Sequence, residues 1–210
     1  MGRDITYYIT EKEYQGFLKK LAQDYNLLAP REGLCGLEFF TASPDSVTEI
    51  VFPDVRLTQP LKSFIYPPKE IVTSEAASPE RKNIVLGAKA CDLKALSILD
   101  KIFLDPQIVD PFYQTHRDNT IIITGDCTEP REFCFCTLLE GNPFPEAGFD
   151  LNISLVDGGV LIEAGSDKGM VLLEKTGVQK EPASERHFNQ RRENRNRVIE
   201  RLKTINKDFT

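Results

Sequence analysis

The sequence predicts an α/β protein with a small parallel or mixed sheet and flanking helices. Three observations carry that reading. In "NIVLGAKACDLKALSILDKIFLD", a short apolar run over Ile84 to Leu86 meets a Gly turn and then a helical pattern. A second apolar run, Thr120 to Thr124, breaks at Gly125. Strand, helix and strand in that order predict a βαβ unit with parallel strands and a right-handed crossover. Past Gly148, "FDLNISLVDGGVLIEAG" alternates around Asp157-Gly158-Gly159, the signature of a hairpin.

The other elements are read in chain order. "TEKEYQGFLKKLAQDYNLLAP" predicts a helix: Thr10 and Glu13 form a capping box, Tyr14, Phe17, Leu18 and Leu21 share one face, and Pro30 ends it. "GLEFFTASPDSVTEIVFP" predicts two short strands separated by a Ser-Pro-Asp turn. The Pro-rich stretch "QPLKSFIYPPKEIVTSEAASPERK" predicts a surface loop. In the helix after Leu86, Asp92 is the expected N-cap, and Leu93, Leu96, Ile98, Leu99 and Ile102 form a wide apolar face. "EAGSDKG" reads as a turn, since it lacks the spacing of a phosphate-binding loop. From Pro182 to Lys207 the composition is charged and helical; the Arg-rich run there is a solvated face or a partner-docking surface. The expected organisation is an N-terminal α+β portion over residues 1–80, a core of βαβ unit and hairpin over 81–175, and a charged helical segment over 176–210.

Composition narrows the function. With 40% apolar and 28% charged residues and a net charge of −6, no basic field marks a nucleic-acid surface. The opening residues lack the apolar core of a signal peptide, and no 18 apolar residues run together. A cytoplasmic protein without a membrane partner is expected, in a compartment where thiols stay reduced. Five cysteines, an odd number, fit a disulfide framework poorly and point to metal or redox chemistry.

Four of the five fall in a telling pattern. Cys91 follows the first strand of the βαβ unit and Cys127 follows the second, while the next loop, "CTEPREFCFC", brings Cys134 and Cys136. Adjacent parallel strands end at one sheet edge, where ligands collect, so the four thiols are expected to converge. The C-x2-4-C pairs typical of mononuclear zinc are absent. A [4Fe–4S] cluster spreads its ligands over four irons and accepts cysteines from distant loops. The sequence therefore favours one such cluster on Cys91, Cys127, Cys134 and Cys136, with Phe133, Phe135, Leu138 and Leu139 excluding water. Zinc on the same cysteines, as a scaffold without redox role, is the alternative; buried, inert thiols are the plainest one. Cys35 has no companion in sequence and is expected to be a buried structural thiol. An enzyme with one reactive thiol at Cys35 or Cys127 is a further rival, but His116 and His187 pair with no evident nucleophile.

These motifs are also familiar. "GAKACDLKALSILDKIFLD", "DPFYQTHRDNTIIITGDCTEPREFCFCT" and "FDLNISLVDGGVLIEAGSDKG" resemble the amino-terminal domain of a family of iron–sulfur electron-transfer subunits. The family includes the beta subunit of soluble sulfhydrogenases and the corresponding subunit of anaerobic sulfite reductases; related subunits accompany heterodisulfide-reductase-type complexes. The resemblance is strongest from Asn83 to Gly169, and its recurring features fall on Cys91-Asp92 and on Cys127 to Thr137. It implies an electron-carrying subunit of a cytoplasmic oxidoreductase, whose partners are a flavoprotein and a catalytic or ferredoxin-like subunit. Family members continue into a ferredoxin-like domain with two C-x2-C-x2-C-x3-C runs, and neither run is present here.

Overall fold

A computed structural model describes residues 5–34, 36–66, 69 and 80–209 of the chain. Five helices and ten strands alternate along it: β1 (Ile5–Thr10), α1 (Glu11–Asp24), β2 (Asn26–Gly33), β3 (Gly36–Ala42), β4 (Asn83–Ala88), α2 (Ala90–Phe103), β5 (Leu104–Asp105), β6 (Ile108–Val109), α3 (Pro111–Asp118), β7 (Thr120–Gly125), β8 (Leu151–Val156), β9 (Gly159–Ala164), α4 (Asp167–Thr176), β10 (Glu181–Pro182) and α5 (Glu185–Ile205). Eight strands form one mixed sheet in the order β10-β1-β9-β8-β7-β4-β2-β3, and β5 and β6 form a separate small ribbon. The expected α/β class with a mixed sheet is the fold observed.

The middle of the sheet is parallel: β2 with β4, β4 with β7, and β7 with β8. Strands buried on both faces read as continuous apolar runs, which is why 84–86 and 120–124 were legible. Side chains alternate between two cores. Ile84, Leu86, Ile121 and Ile123 join Phe17, Leu18 and Leu21 of α1 and Leu172 and Leu173 of α4. Val85, Ala88 and Ile122 join Leu93 and Leu96 of α2 and Tyr113 of α3. The sheet thus lies between two helical layers.

Several expected elements differ. Thr10 caps α1 and the capping box with Glu13 is present, but the helix stops at Asp24. "NLLAPREG" is strand β2, antiparallel to β3. Pro30 is tolerated because the β4 ladder ends at Leu28, so its missing N–H deprives no partner on that side. Its carbonyl accepts from Val51 N–H at 2.9 Å. The second strand expected before Pro53 is absent; Val47–Glu49 is a single 3₁₀ turn. Strand β1 and helix α4 went unread, the latter because its N-cap, Ser166, and Gly169 look like turn residues. Gly169 is required by packing, since a Cβ there would strike the Asp150 carbonyl oxygen. The hairpin expected at Asp157-Gly158-Gly159 joins β8 to β9, with Gly158 at φ +76°. Of the surface loop expected over Gln59 to Lys82, Leu61–Phe64 form a 3₁₀ turn with Leu61 and Ile65 buried, while 67–68 and 70–79 lie outside the described residues, as does Cys35.

Candidate metal centre

The first thiol is set by a bulge. In β4 the register against β7 shifts between Leu86 and Ala88, and Gly87 takes φ +88°. A Cβ at Gly87 would come within 2.9 Å of the Pro30 ring and 3.1 Å of the Pro53 ring. Only glycine combines that backbone angle with that crowding. The bulge turns the chain into α2, where Cys91 is the second residue. The N-cap is Lys89, not Asp92. Asp92 sits three residues further on and its carboxylate accepts from Lys89 N–H at 2.9 Å, the reciprocal half of a capping box. The apolar face of α2 is narrower than expected: Leu93 and Leu96 are buried, whereas Ile98 and Ile102 are more than half exposed.

The other three thiols follow β7. Cys127 N–H donates to Pro143 O at 2.8 Å, and Thr128 N–H to Asp54 O at 3.0 Å, which tie down the start of the segment. Cys134 N–H donates to Arg131 O at 2.9 Å, and Arg131 N–H points back to Cys134 Sγ at 3.4 Å. Cys136 opens a 3₁₀ turn, Cys136–Leu139, closed by Glu140 in the left-handed region and by Gly141 N–H on Cys136 O at 2.9 Å. Because β4 and β7 are parallel neighbours, Cys91 and Cys127 leave the sheet at the same edge.

Burial pushes the Cys127 thiol up to about 12; the Lys89 cation opposes this, and Cys91, Cys136 and Cys134 push it further up. The Cys91 thiol is pushed up to about 11 by desolvation first, then by Asp92, with Cys136 adding and the Arg56 guanidinium opposing. Cys91 nonetheless keeps exposed surface. The Cys136 thiol is also raised, by burial first. A nucleophilic cysteine needs the opposite shift, so the direction at Cys127 gives the reactive-thiol reading no support. Among the described residues, no group of three or more His, Cys, Asp or Glu side chains is gathered tightly enough to hold a metal ion. The donor set itself is four soft sulfurs from two strand ends. It fits a thiolate-ligated cluster, in which each sulfur serves a different iron.

Two features missed in sequence surround these thiols. The first is Asp126, buried just before Cys127. Its carboxylate accepts from Arg195 Nε at 2.7 Å, from Arg195 Nη2 at 3.1 Å, from Asn152 Nδ2 at 3.0 Å and from Ser154 Oγ at 2.8 Å. Arg195 also stacks on Phe144, 4.2 Å from the ring centroid. Helix α5 reaches the cysteine loop twice more, by Arg201 pairing with Glu129 and by Asn206 Nδ2 donating to Cys134 O at 3.2 Å. The Arg-rich run is therefore not wholly a solvated face: Arg195 and Arg191 (paired with Glu163 at 2.6 Å) point inward. The second feature is Lys89, whose side chain is fully buried beside Cys127. Neither was readable, because their partners lie 26 to 69 residues away or on the backbone.

The aromatic screen is corrected. Phe133 and Phe135 are 60% and 56% exposed, and Leu139 is 53% exposed, so they rim the loop rather than seal it. His187 accepts from Ser184 N–H at the start of α5 and stacks on Tyr8 at 4.1 Å. His116 lies in α3.

Fold and donors together define a class: a mixed α/β domain with a four-thiol edge. No family model matches the chain. It is 32% identical over 131 residues to the protein named "Sulfhydrogenase 2 subunit beta" of Pyrococcus furiosus. The match takes in 60% of this chain, and 38% of that relative's length. It agrees with the resemblance carried by the cysteine motifs. No helix among the described residues is long and apolar enough to cross a membrane.

Proposed function

We propose that the chain is an iron–sulfur electron-transfer subunit of a cytoplasmic, multi-subunit oxidoreductase. One [4Fe–4S] cluster is ligated by Cys91, Cys127, Cys134 and Cys136, and single electrons pass between a flavoprotein partner and a catalytic or ferredoxin-like subunit. The observation that carries this reading is the one sheet edge at which parallel strands β4 and β7 release Cys91 and Cys127, with Cys134 and Cys136 on the loop that follows β7. The relative named as a sulfhydrogenase subunit supports membership of a hydrogenase-type assembly. When bound, the cluster supplies one-electron chemistry. The chain's own part is to orient and shield. The β4 bulge aims Cys91, the Asp126 network fixes the backbone on which Cys127 rides, and α5 holds the Cys134 carbonyl. The exposed rim of Phe133, Phe135 and Leu139 offers apolar contact to a partner close to the thiols.

Iron and acid-labile sulfide, measured on anaerobically purified and reconstituted chain, test the reading. Four of each per chain, lost on Cys127→Ser, is the expected result. Fewer than about two irons per chain counts against a four-iron cluster, and one zinc in a colourless protein replaces it with the scaffold reading.

A further inference from the structure

We propose that Lys89 is the counter-charge of the thiol site and sets how readily the bound cluster is reduced. This inference rests on the iron–sulfur reading above and assigns a role to a residue that is not a ligand.

Its starting point is a buried cation with no carboxylate of its own. Lys89 is 0% exposed. Its Nζ donates to Pro53 O at 2.6 Å and to Asp126 O at 3.0 Å, and it lies 4.9 Å from the centroid of the Phe52 ring. Those partners are neutral: two carbonyl dipoles and a π face. The nearby carboxylates are each engaged elsewhere. Asp126 is held by Arg195, Asn152 and Ser154. Asp92 accepts from the Lys89 backbone rather than its side chain. Asp54 accepts from Thr128 Oγ1 at 2.9 Å and faces Arg131 at 3.6 Å. No ion pair joins Lys89 Nζ to a carboxylate among the described residues.

Burying a lone ammonium is expensive unless negative charge sits close by. Burial pushes the Lys89 ammonium below its ordinary value, and of the groups that oppose this Cys127 is foremost, ahead of Asp126, Asp54 and Asp92. Through its bond to the Asp126 carbonyl the lysine sits one residue from Cys127 at the β7 exit, and two residues before Cys91 at the β4 exit. A cluster on four thiolates is an anion, and taking up one electron makes it more negative. A fixed cation in a weakly screened interior favours the more negative state. Lys89 therefore stabilises the reduced form, and cluster charge in turn compensates Lys89. Arg56 acts on Cys91 from the solvent side in the same sense, but it is exposed and so screened.

The test compares wild type with Lys89→Gln, which keeps hydrogen-bond donors, and Lys89→Met, which keeps only the chain length. Each is reconstituted anaerobically and titrated with dithionite, with the reduced cluster followed by EPR. The reduction equilibrium is expected to fall at least tenfold in both variants, which is about 59 mV more negative for a one-electron couple. Potentials within threefold of wild type, at full iron content, overturn the proposal. If a variant keeps the wild-type circular dichroism and melting temperature but no longer assembles a cluster, charge compensation is supported. If both variants lose the native fold, Lys89 is a structural tie and the proposal fails. Wild-type protein that binds no iron sinks the iron–sulfur reading instead, and that outcome is read before any variant is compared.

Discussion

Replacing Arg195 by Met gives the sharpest view of how the helical tail supports the thiol loop. Arg195 and Asp126 are 17% and 8% exposed at their side chains, and the guanidinium grips both carboxylate oxygens. Methionine keeps the aliphatic stem that crosses Phe144 and removes the charge. The Asp126 carboxylate is then left buried with only Asn152 and Ser154. Breaking a buried pair from one side costs about 3–5 kcal/mol. Some water reaches the guanidinium, so we take the lower end, about 3 kcal/mol. For a chain of this size that lowers the melting temperature by roughly 6–12 °C. Because Asp126 precedes Cys127 directly, iron retention should fall with it. Adding Asp126→Asn to Arg195→Met removes the stranded charge and should recover part of the loss, a coupling that a double-mutant cycle measures. The reasoning is refuted if Arg195→Met melts within about 2 °C of wild type with full iron content, or if the second substitution brings no recovery.

Three further outcomes are expected. Gly87→Ala forces a side chain into φ +88° and against Pro30 and Pro53; a loss of about 2 kcal/mol, or roughly 4–8 °C in thermal unfolding, is expected, and a neutral result removes the bulge argument. Phe133→Ser and Phe135→Ser, at exposed positions, should each change stability by less than about 0.5 kcal/mol and leave iron content intact, so loss of the cluster restores the shielding role. With Cys91 pushed up to about 11 and Cys127 to about 12, both thiols are protonated at neutral pH in the metal-free chain. Ligation requires thiolates, so loading must release protons and apparent affinity must rise with pH; titrating cadmium into weakly buffered protein with a pH dye checks this, and loading without proton release contradicts the shifts.

What the sequence disclosed followed a physical divide. Strands β4 and β7 announced themselves because both faces are buried, so apolar residues run unbroken and the Gly that ends each is conspicuous. The Asp157-Gly158 turn and the Thr10 cap are local chemistry, complete within a few residues. Strand β2 was masked by Pro30, whose tolerance depends on where the β4 ladder ends, a tertiary fact. The sharing of one sheet edge by Cys91 and Cys127 was readable from parallel topology alone. Lys89 and Arg195 were not, since charged residues in a polar stretch look solvated until the fold supplies their partners.

Those two cations divide one problem between them. The edge where β4 and β7 end must present sulfur to a cofactor, and both flanking segments leave the sheet there with polar backbone exposed to the interior. Arg195 answers the carboxylate of Asp126, so that this acid orders the β7 exit without adding uncompensated charge beside the thiols. Lys89 answers the Asp126 and Pro53 carbonyls and is left with a positive charge that no carboxylate consumes. Had Asp126 paired with Lys89 instead, the loop would be equally well tied but electrically neutral at the sulfurs. Assigning the acid to the helix-borne arginine frees the lysine's field for whatever anion the four thiols hold. The same arrangement makes the site depend on α5: without Arg195, the Asp126 carboxylate is left to draw on Lys89, whose charge it already favours, and part of the lysine's field at Cys127 is lost along with the support.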